Sequence, residues 1–306
     1  MSLETFKKKG KFFKGNIHTH SNFSDGRLPP ELVCEAYLGK GYDFVSITDH
    51  FLGMFKYPLT RIKQDFENFC TILGAEMHTS KMENGELWHI LAIGLTEDFS
   101  PPNQASFLTN NESESAQELV SRCLKVGAFV SLTHPEWNGL TLEDTRKIHG
   151  AHAVEIYNHS SALECDRGYG MAIFDQILNQ GRKINIIATD DSHFQTEDAF
   201  GGWIMVKAKN NNSRELLNAL KKGEYYSSQG PEIFDISINN KELSISCSSS
   251  SCIIISGFGS SSLYKRRPDI QNTVFQISSL PKNKWIRVTV IDKNGKKAWS
   301  NPIFDY

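Results

Sequence analysis

Short apolar runs alternate with longer amphipathic runs from residue 15 to about residue 230 of the chain. The apolar runs are rich in Val, Ile and Phe, which favour β-strands. They predict strands at residues 16–18, 44–48, 71–76, 88–93, 128–133, 153–157 and 184–189. Regular alternation of strand and helix is typical of an α/β fold with a parallel sheet or barrel.

The amphipathic segments between these runs predict the helices. The first begins near Pro30, because proline suits the first helical turn, and ends at Gly39 or Gly41. Further helices are predicted near residues 60–69, 114–126, 141–149, 163–180 and 212–222. Residues 98–112 contain Pro101-Pro102 and Asn110-Asn111, which predict a long loop above the carboxyl ends of the strands.

The pattern changes after Gly230-Pro231 to short runs in which apolar and polar residues alternate. These runs, at residues 233–238, 243–247, 252–255 and 285–290, predict strands with turns between them, one of the turns being the serine run 248–251. We therefore divide the chain into a lead-in at 1–13, an α/β unit at 14–230 and a small all-β, sandwich-like domain at 231–306. The β domain is expected to pack on the α/β unit or to mediate contacts.

Composition narrows the class of protein only slightly. The chain has 306 residues and a net charge of −2, with both signs mixed, so nothing indicates a general affinity for nucleic acid. No apolar segment is long enough for a secretion signal or a membrane span, which predicts a soluble cytoplasmic protein. The six cysteines include no C-x-x-C pair, so buried reduced thiols are expected.

Histidines and carboxylates stand at the ends of the predicted strands. Side chains at positions i and i+2 of a strand point the same way, so His18-Thr19-His20 directs two imidazoles to one point, and Asp191 and His193 have the same spacing. Nitrogen and carboxylate ligands together suit zinc, manganese or iron rather than calcium. The candidate metal ligands are His18, His20, Asp25, His50, Glu76, His89, His134, Asp191 and His193.

Single members of this set have ordinary alternatives, since one H-x-H motif arises readily by chance. Asp25 lies in Ser24-Asp25-Gly26 and is either a ligand or the cap of a turn. Glu76 is well placed to bridge two ions through its two oxygens. Asp49, beside His50, is expected to face the other way and to orient an imidazole, and Asp190 has the same interpretation.

Other polar residues are candidates for proton transfer or substrate contact. His78 follows Glu76 by two residues and is a candidate proton donor, with an exposed loop histidine as the alternative. Arg27 and Arg167 are candidate phosphate ligands, although arginines on such loops are often solvated. Asn158 closes a predicted strand together with Glu155, and both are expected to contact substrate or to orient the metal ligands.

The ordered motifs resemble those of the PHP family, named for polymerase and histidinol phosphatase. The resemblance covers about residues 14–230. It rests on His18-Thr19-His20-Ser21 with Ser24-Asp25-Gly26, on Ile47-Thr48-Asp49-His50, on Gly74-Ala75-Glu76, on Trp88-His89-Ile90-Leu91, on Thr133-His134-Pro135 and on Thr189-Asp190-Asp191-Ser192-His193.

This resemblance implies a distorted (β/α)7 barrel, two or three divalent metal ions and hydrolysis of phosphate esters. In the family, the positions that match the nine candidate residues supply the ligands. Asp25 stands where several relatives have histidine, which leaves the third ion open. Residues 225–231 resemble the junction of PHP proteins that carry a small C-terminal β domain.

The expected function is hydrolysis of a phosphate monoester by a hydroxide that bridges two metal ions. His78 and Asp49 are the candidate catalytic residues beside the ligands. The expected substrate is a small phosphorylated molecule, either a nucleotide, a sugar phosphate or an oligonucleotide end, although no basic groove supports nucleic acid. A non-catalytic metal-binding accessory domain and a hydrolase of a non-phosphate bond are the alternatives, and the oligomeric state stays open.

Overall fold

The structure is a computed structural model that describes residues 4–101, 114–304 and 306. Most of the predicted loop at 98–112 lies outside the described residues. Within the described part, the α-helices are α1 (Glu4–Lys7), α2 (Pro30–Gly39), α3 (Ala116–Lys125), α4 (Leu142–Arg146), α5 (His159–Cys165), α6 (Met171–Asn179) and α7 (Ser213–Lys222). A short 3₁₀ turn spans Gly53–Phe55. None of the described helices has the length and apolar character needed to cross a bilayer.

The described strands form two sheets. The strands are β1 (Lys11–Asn16), β2 (Phe44–Val45), β3 (His50–Phe51), β4 (Cys70–Thr71), β5 (Gly74–Lys81), β6 (Leu87–Ile93), β7 (Phe129–Leu132), β8 (Ala153–Asn158), β9 (Asn185–Thr189), β10 (Trp203–Ala208), β11 (Tyr225–Ser228), β12 (Ile233–Asn239), β13 (Glu242–Gly257), β14 (Ser262–Gln276), β15 (Ile286–Ile291) and β16 (Lys297–Ser300). The six-stranded sheet has the order β3-β5-β6-β7-β8-β9. The ten-stranded sheet runs β12-β13-β15-β16-β11-β10-β1-β2-β4, with β14 paired to β13.

The six-stranded sheet departs from a purely parallel arrangement. Strands β7, β8 and β9 are parallel, whereas β6 is antiparallel to both β5 and β7. In the connection at 82–86, the Met82 amide donates to the Glu86 carbonyl at 2.8 Å, and the connection is too short for a helical crossover. The predicted alternation of strand and helix therefore fails between β5 and β6.

Backbone hydrogen bonds beyond the ends of β1, β2 and β9 connect the two sheets. The His20 amide donates to the Ser192 carbonyl at 2.8 Å, the Asp191 amide to His18 at 2.8 Å, and the Thr48 amide to Thr19 at 2.8 Å. The predicted barrel is not confirmed, because the strands pair into two sheets and not into one closed ring. These links bring the carboxyl ends of the strands together.

The C-terminal strands extend the larger sheet instead of forming a separate sandwich. Strand β16 pairs with β11, which continues through β10 to β1. The lead-in expected at 1–13 also overlaps this sheet, because β1 already begins at Lys11. The serine run 248–251 lies inside β13 at an irregularity of the pairing with β14, and not at the predicted turn.

The C-terminal strands also pack on the helical side of the α/β unit. Arg287 on β15 makes a two-pronged ion pair with Asp175 on α6, with nitrogen–oxygen distances of 3.1 and 3.0 Å. The Trp285 indole donates to Asn179 at 3.1 Å. Paired guanidinium and carboxylate groups with low exposure fix geometry as well as charge. The expected packing of the β region on the α/β unit is therefore observed.

Predicted and observed elements differ at several places in the described chain. Five of the predicted helical regions contain helices, but residues 60–69 form none. Strands β3, β10, β11, β14 and β16 were not predicted, although β10 is largely apolar. Most side chains of β14 are exposed, so that strand lacks a clear apolar run. The six cysteines are all free, with Cys165 exposed against the expectation of burial.

Candidate metal centre

The nine candidate ligands lie close together and form overlapping groups. In the first group, Asp191 Oδ1 lies 3.1 Å from His18 Nε2 and 3.0 Å from His20 Nε2. Glu76 Oε2 lies 3.6 Å from each of these two nitrogens. Four ligand atoms within 4.8 Å of one another are close enough to hold one ion.

A second group shares the other oxygen of Glu76. His89 Nδ1 lies 2.9 Å and His134 Nε2 lies 3.0 Å from Glu76 Oε1. Strand β5 carries Glu76, β6 carries His89, and His134 follows β7. A carboxylate with one oxygen in each of two groups has the position expected of a bridging ligand.

The third group lies nearer the surface. Asp25 Oδ2 is 3.3 Å from His50 Nε2, and its Oδ1 is 3.5 Å from His193 Nε2. His20 completes the group, and its ring stacks on His193 with 4.4 Å between centroids. Asp25 therefore lies within the ligand cluster, as the sequence predicted, although its side chain is 42% exposed.

Two unsatisfied atoms show that the donor set suits a divalent cation. His18 Nε2 and Glu76 Oε2 are buried and make no hydrogen bond. Leaving such groups unpaired costs about 1 to 3 kcal/mol each, so native proteins normally give them a partner. A cation between them would satisfy both atoms, and their mixture of nitrogen and oxygen suits zinc, manganese or iron.

The buried carboxylates are held in their charged form by the surrounding imidazoles. Burial acts against ionisation of Glu76, but His50, His89 and His18 hold the pKa of its carboxyl well below the usual range. Burial likewise opposes ionisation of Asp191, and His18 and neighbouring groups lower its pKa well below the usual value. Ionised carboxylates are the form that binds metal ions.

The imidazoles differ in how strongly the carboxylates affect them. Burial and the neighbouring His50 and His193 lower the pKa of His20 to about 4. Burial opposes protonation of His50 as well, but Glu76 and Asp25 raise its pKa to about 10. Neutral His20 is ready to act as a ligand, whereas His50 must release a proton before it can bind an ion.

Hydrogen bonds to Glu155 and Asn158 orient several of the candidate ligands. Glu155 Oε1 accepts from His18 Nδ1 at 2.9 Å, and Oε2 accepts from the His134 amide at 2.7 Å and from Asn158 Nδ2 at 2.9 Å. Asn158 also donates to Asp191 Oδ2 at 3.0 Å. Its own oxygen caps α5 by accepting from the Ser161 amide. Of the two roles expected of Asn158, these hydrogen bonds match orientation of the metal ligands.

Asp49 does not orient an imidazole, contrary to the prediction. Its carboxylate accepts from the Ser21 amide at 2.7 Å, from the Ser21 hydroxyl at 2.6 Å, from Ser24 Oγ at 2.8 Å and from the Thr60 hydroxyl. Residues 46–49 lie between β2 and β3 and are not in a regular strand, so the alternation argument does not apply. Asp49 instead fixes the loop that carries Asp25.

His78 is buried on β5 and not exposed on a loop. Its Nε2 lies 2.8 Å from His50 Nδ1, and its ring centroid is 4.1 Å from that of His89. His50 and His89 line the cavity at the centre, whereas His78 does not. This position behind the ligands suits orientation of His50 and does not favour the predicted donation of a proton to a leaving group.

Asp190 fixes a loop and does not orient an imidazole, contrary to the prediction. Its Oδ2 accepts from Asn16 Nδ2, the Tyr37 hydroxyl and the Phe200 amide, and its Oδ1 accepts from the amides of Gly201 and Gly202. Burial raises its pKa to about 6, although the backbone donors favour the charged form. Its role is to hold residues 200–202 against the strand ends, and it contacts no imidazole in the described structure.

We expect Asp190→Asn to lower the free energy of unfolding by about 2 kcal/mol, because either orientation of the new amide directs its NH₂ group at donors. Urea denaturation followed by circular dichroism measures the change. Asp65→Asn is the matched control, since Asp65 is exposed and Asn removes the same charge. Equal stability of the two variants would contradict this role of Asp190.

Two residues of the centre have unusual backbone conformations. Asp191 has a φ of 56° and His134 a φ of 22°. Side chains other than glycine adopt positive φ at a cost of about 1 kcal/mol or more, which the surrounding hydrogen bonds must offset. Hydrogen bonds to Glu155 and Asn158 hold both residues in place.

The side chains of the two candidate arginines do not line the site. Arg27 and Arg167 are exposed, and neither lines the cavity of about 230 Å³ at the centre. The Arg27 amide does donate to the His193 carbonyl at 2.8 Å, so its backbone lies at the rim. The cavity is lined instead by Asp25, His50, Glu76, His89, His134, Trp137, Ser160, Ser161, Glu164, Asp191 and His193.

Sequence reasoning missed Trp137, Ser160, Ser161 and Glu164 as lining residues. Trp137 follows His134 by three residues, and this proximity in the sequence could have identified it as a lining residue. The serines and Glu164 lie on α5, directly after the strand that carries Asn158. Residues in a loop or helix after a ligand-bearing strand commonly form the wall of a site at the carboxyl ends of strands.

The fold and the clustered side chains define an α/β protein with a candidate multinuclear metal centre. Its fold matches that of a two-domain protein from Bacteroides vulgatus that contains a predicted PHP-like metal-dependent phosphoesterase. The match has a TM-score of 0.53 at 18% identity and covers 92% of this chain and 91% of that one. The chain thus has a PHP-like fold, and the resemblance seen in its motifs is confirmed at the level of the fold.

Other comparisons are more limited. A proposed metal-dependent phosphoesterase from Bifidobacterium adolescentis matches 58% of this chain and 87% of its own, with a TM-score of 0.40 at 15% identity. The DNA polymerase/3'-5' exonuclease PolX of Bacillus subtilis is 36% identical over 77 residues, which span 21% of this chain and 14% of that protein. No protein-family model matches the chain.

Proposed function

We propose that the chain is a metal-dependent phosphoesterase that hydrolyses a phosphate monoester. The observation that supports this most directly is the position of Glu76, whose two oxygens belong to adjacent groups of ligand atoms. Zinc, manganese or iron ions held by these groups would supply an activated water and would neutralise charge on the phosphoryl oxygens. Two ions would use His18, His20, Glu76, His89, His134 and Asp191, and a third would use His20, Asp25, His50 and His193.

The protein's own contribution is to position and orient these groups. Glu155 fixes the ring of His18, and Asn158 fixes the carboxylate of Asp191. Asp49 holds the loop of Asp25. Preorganised ligands of this kind keep the phosphoryl group and its nucleophile in a productive geometry without further rearrangement.

A small substrate is favoured over a long nucleic acid. Neither Lys nor Arg lines the cavity in the described part of the chain. Proteins that bind nucleic acid backbones use basic side chains along a groove. The similarity to PolX keeps a phosphorylated oligonucleotide end among the substrates to be tested.

The proposal is tested by measuring phosphate release and bound metal together. The purified chain is loaded with manganese, zinc or iron(II), and assayed on nucleoside monophosphates, sugar phosphates and phosphorylated oligonucleotides. Metal content is determined by plasma mass spectrometry. Release of phosphate that stops on chelation is the expected result.

Two other outcomes would favour the alternatives. Tightly bound ions without phosphate release from any ester would indicate a non-catalytic metal-binding domain. Hydrolysis of carboxylic esters or amides, but of no phosphate ester, would indicate a hydrolase of another bond. Either result would overturn the proposal.

A further inference from the structure

The wall of the cavity beyond the candidate ligands has a distinct chemical character. It consists of the indole of Trp137, the residues Ser160 and Ser161, and the carboxylate-bearing Glu164. In the described chain it includes no basic side chain. The wall therefore offers a flat apolar surface and a negative charge to whatever part of the substrate extends beyond the phosphate.

Trp137 is an exposed ring on a fixed loop. Its side chain is 42% exposed, although large apolar side chains are mostly buried. The Trp137 amide donates to the His134 carbonyl at 3.0 Å, and its ring centroid lies 4.9 Å from that of His134. The preceding Glu136 accepts from the Tyr169 amide at 2.8 Å and attaches the loop to its neighbour. An exposed, preorganised indole beside a metal centre is suited to stacking against a planar group.

Glu164 supplies the charge on this wall. Its side chain is exposed on α5 and forms no ion pair in the described structure. A carboxylate accepts hydrogen bonds from N–H and O–H groups and repels a second phosphate. This repulsion works against a substrate that carries a further phosphate on the part bound at the wall.

We propose that Trp137 and Glu164 form a leaving-group subsite, a conclusion that rests on the proposed phosphoesterase function. The subsite selects monophosphate esters whose leaving group contains a flat ring with hydrogen-bond donors, and it disfavours esters that carry a second phosphate. In the reaction, water adds across the P–O bond. The phosphoryl group leaves as inorganic phosphate, and the ester oxygen takes a proton to leave as the ring-bearing alcohol.

The contribution of the ring is measured with adenosine 5'-monophosphate and ribose 5-phosphate, which differ by the base. In the manganese-loaded protein, we expect Trp137→Ala to reduce kcat/KM for the nucleotide about tenfold and to leave that for ribose 5-phosphate within twofold. Tyr264→Ala is the control, because Tyr264 is an exposed aromatic residue on β14 that does not line the cavity. Equal losses on both substrates would overturn the stacking role.

The contribution of the charge is measured with fructose 6-phosphate and fructose 1,6-bisphosphate. We expect Glu164→Gln to raise the relative kcat/KM for the bisphosphate about threefold. Glu143→Gln removes an exposed carboxylate that does not line the cavity and should leave the ratio unchanged. An unchanged ratio in Glu164→Gln would overturn its role, while phosphate release would still support the proposed function. Absence of phosphate release from all four esters, with release from another member of the wider panel, would overturn the subsite and leave the proposed function standing.

Discussion

Replacing Glu76 with Gln should reduce phosphatase activity at least about a thousandfold and lower the bound metal content. Both oxygens of Glu76 lie among ligand nitrogens, with Oε1 2.9 Å from His89 and Oε2 2.8 Å from His50. Gln keeps the length of the side chain but removes the charge, and it offers one oxygen where two are needed. Steady-state release of phosphate and plasma mass spectrometry measure the two effects.

The matched control for this variant is Glu83→Gln. Glu83 is an exposed carboxylate that pairs with Lys147 and does not line the cavity, so its substitution removes the same charge outside the candidate centre. Circular dichroism shows whether each variant is folded. A folded Glu76→Gln protein that retains activity within tenfold of the wild type, with the same metal content, would exclude a bridging role.

Two strands next to the candidate centre could be predicted from their apolar runs alone. Residues 153–157 and 184–189 are apolar runs, and both form strands, β8 at Ala153–Asn158 and β9 at Asn185–Thr189. Strand β14 could not be predicted in this way, since pairing with β13 holds it although most of its side chains are exposed. The position of β14 therefore depends on pairing with another strand and not on its own apolar pattern.

The ligands could be predicted more readily than the residues that support them. His18 and His20 follow the end of β1 at Asn16, and their i, i+2 spacing was the signal that predicted their convergence. Asp49 and His78 depend on which loop or strand packs behind them. Asp49 accepts hydrogen bonds from Ser21, Ser24 and Thr60. These partners are not its neighbours in the sequence, so the local pattern could not reveal them.

Glu155 is another residue that supports the ligands. We expect Glu155→Gln to lower activity about ten- to a hundredfold. Its carboxylate accepts from His18, the His134 amide, Asn158 and Thr189, so either orientation of an amide directs its NH₂ group at donors. Because the His18 ring would lose its fixed position, the substitution should weaken metal binding rather than slow the chemical step.

Titration of activity with manganese separates these two causes. We expect Glu155→Gln to require a higher manganese concentration for half-maximal activity and to recover most of its activity at saturation. Glu143→Gln is the control, because Glu143 is exposed and pairs with Arg146. A loss that manganese cannot restore would mean that Glu155 acts on the reacting groups themselves. The buried position of Glu155, at 1% exposure, argues against that contact with substrate.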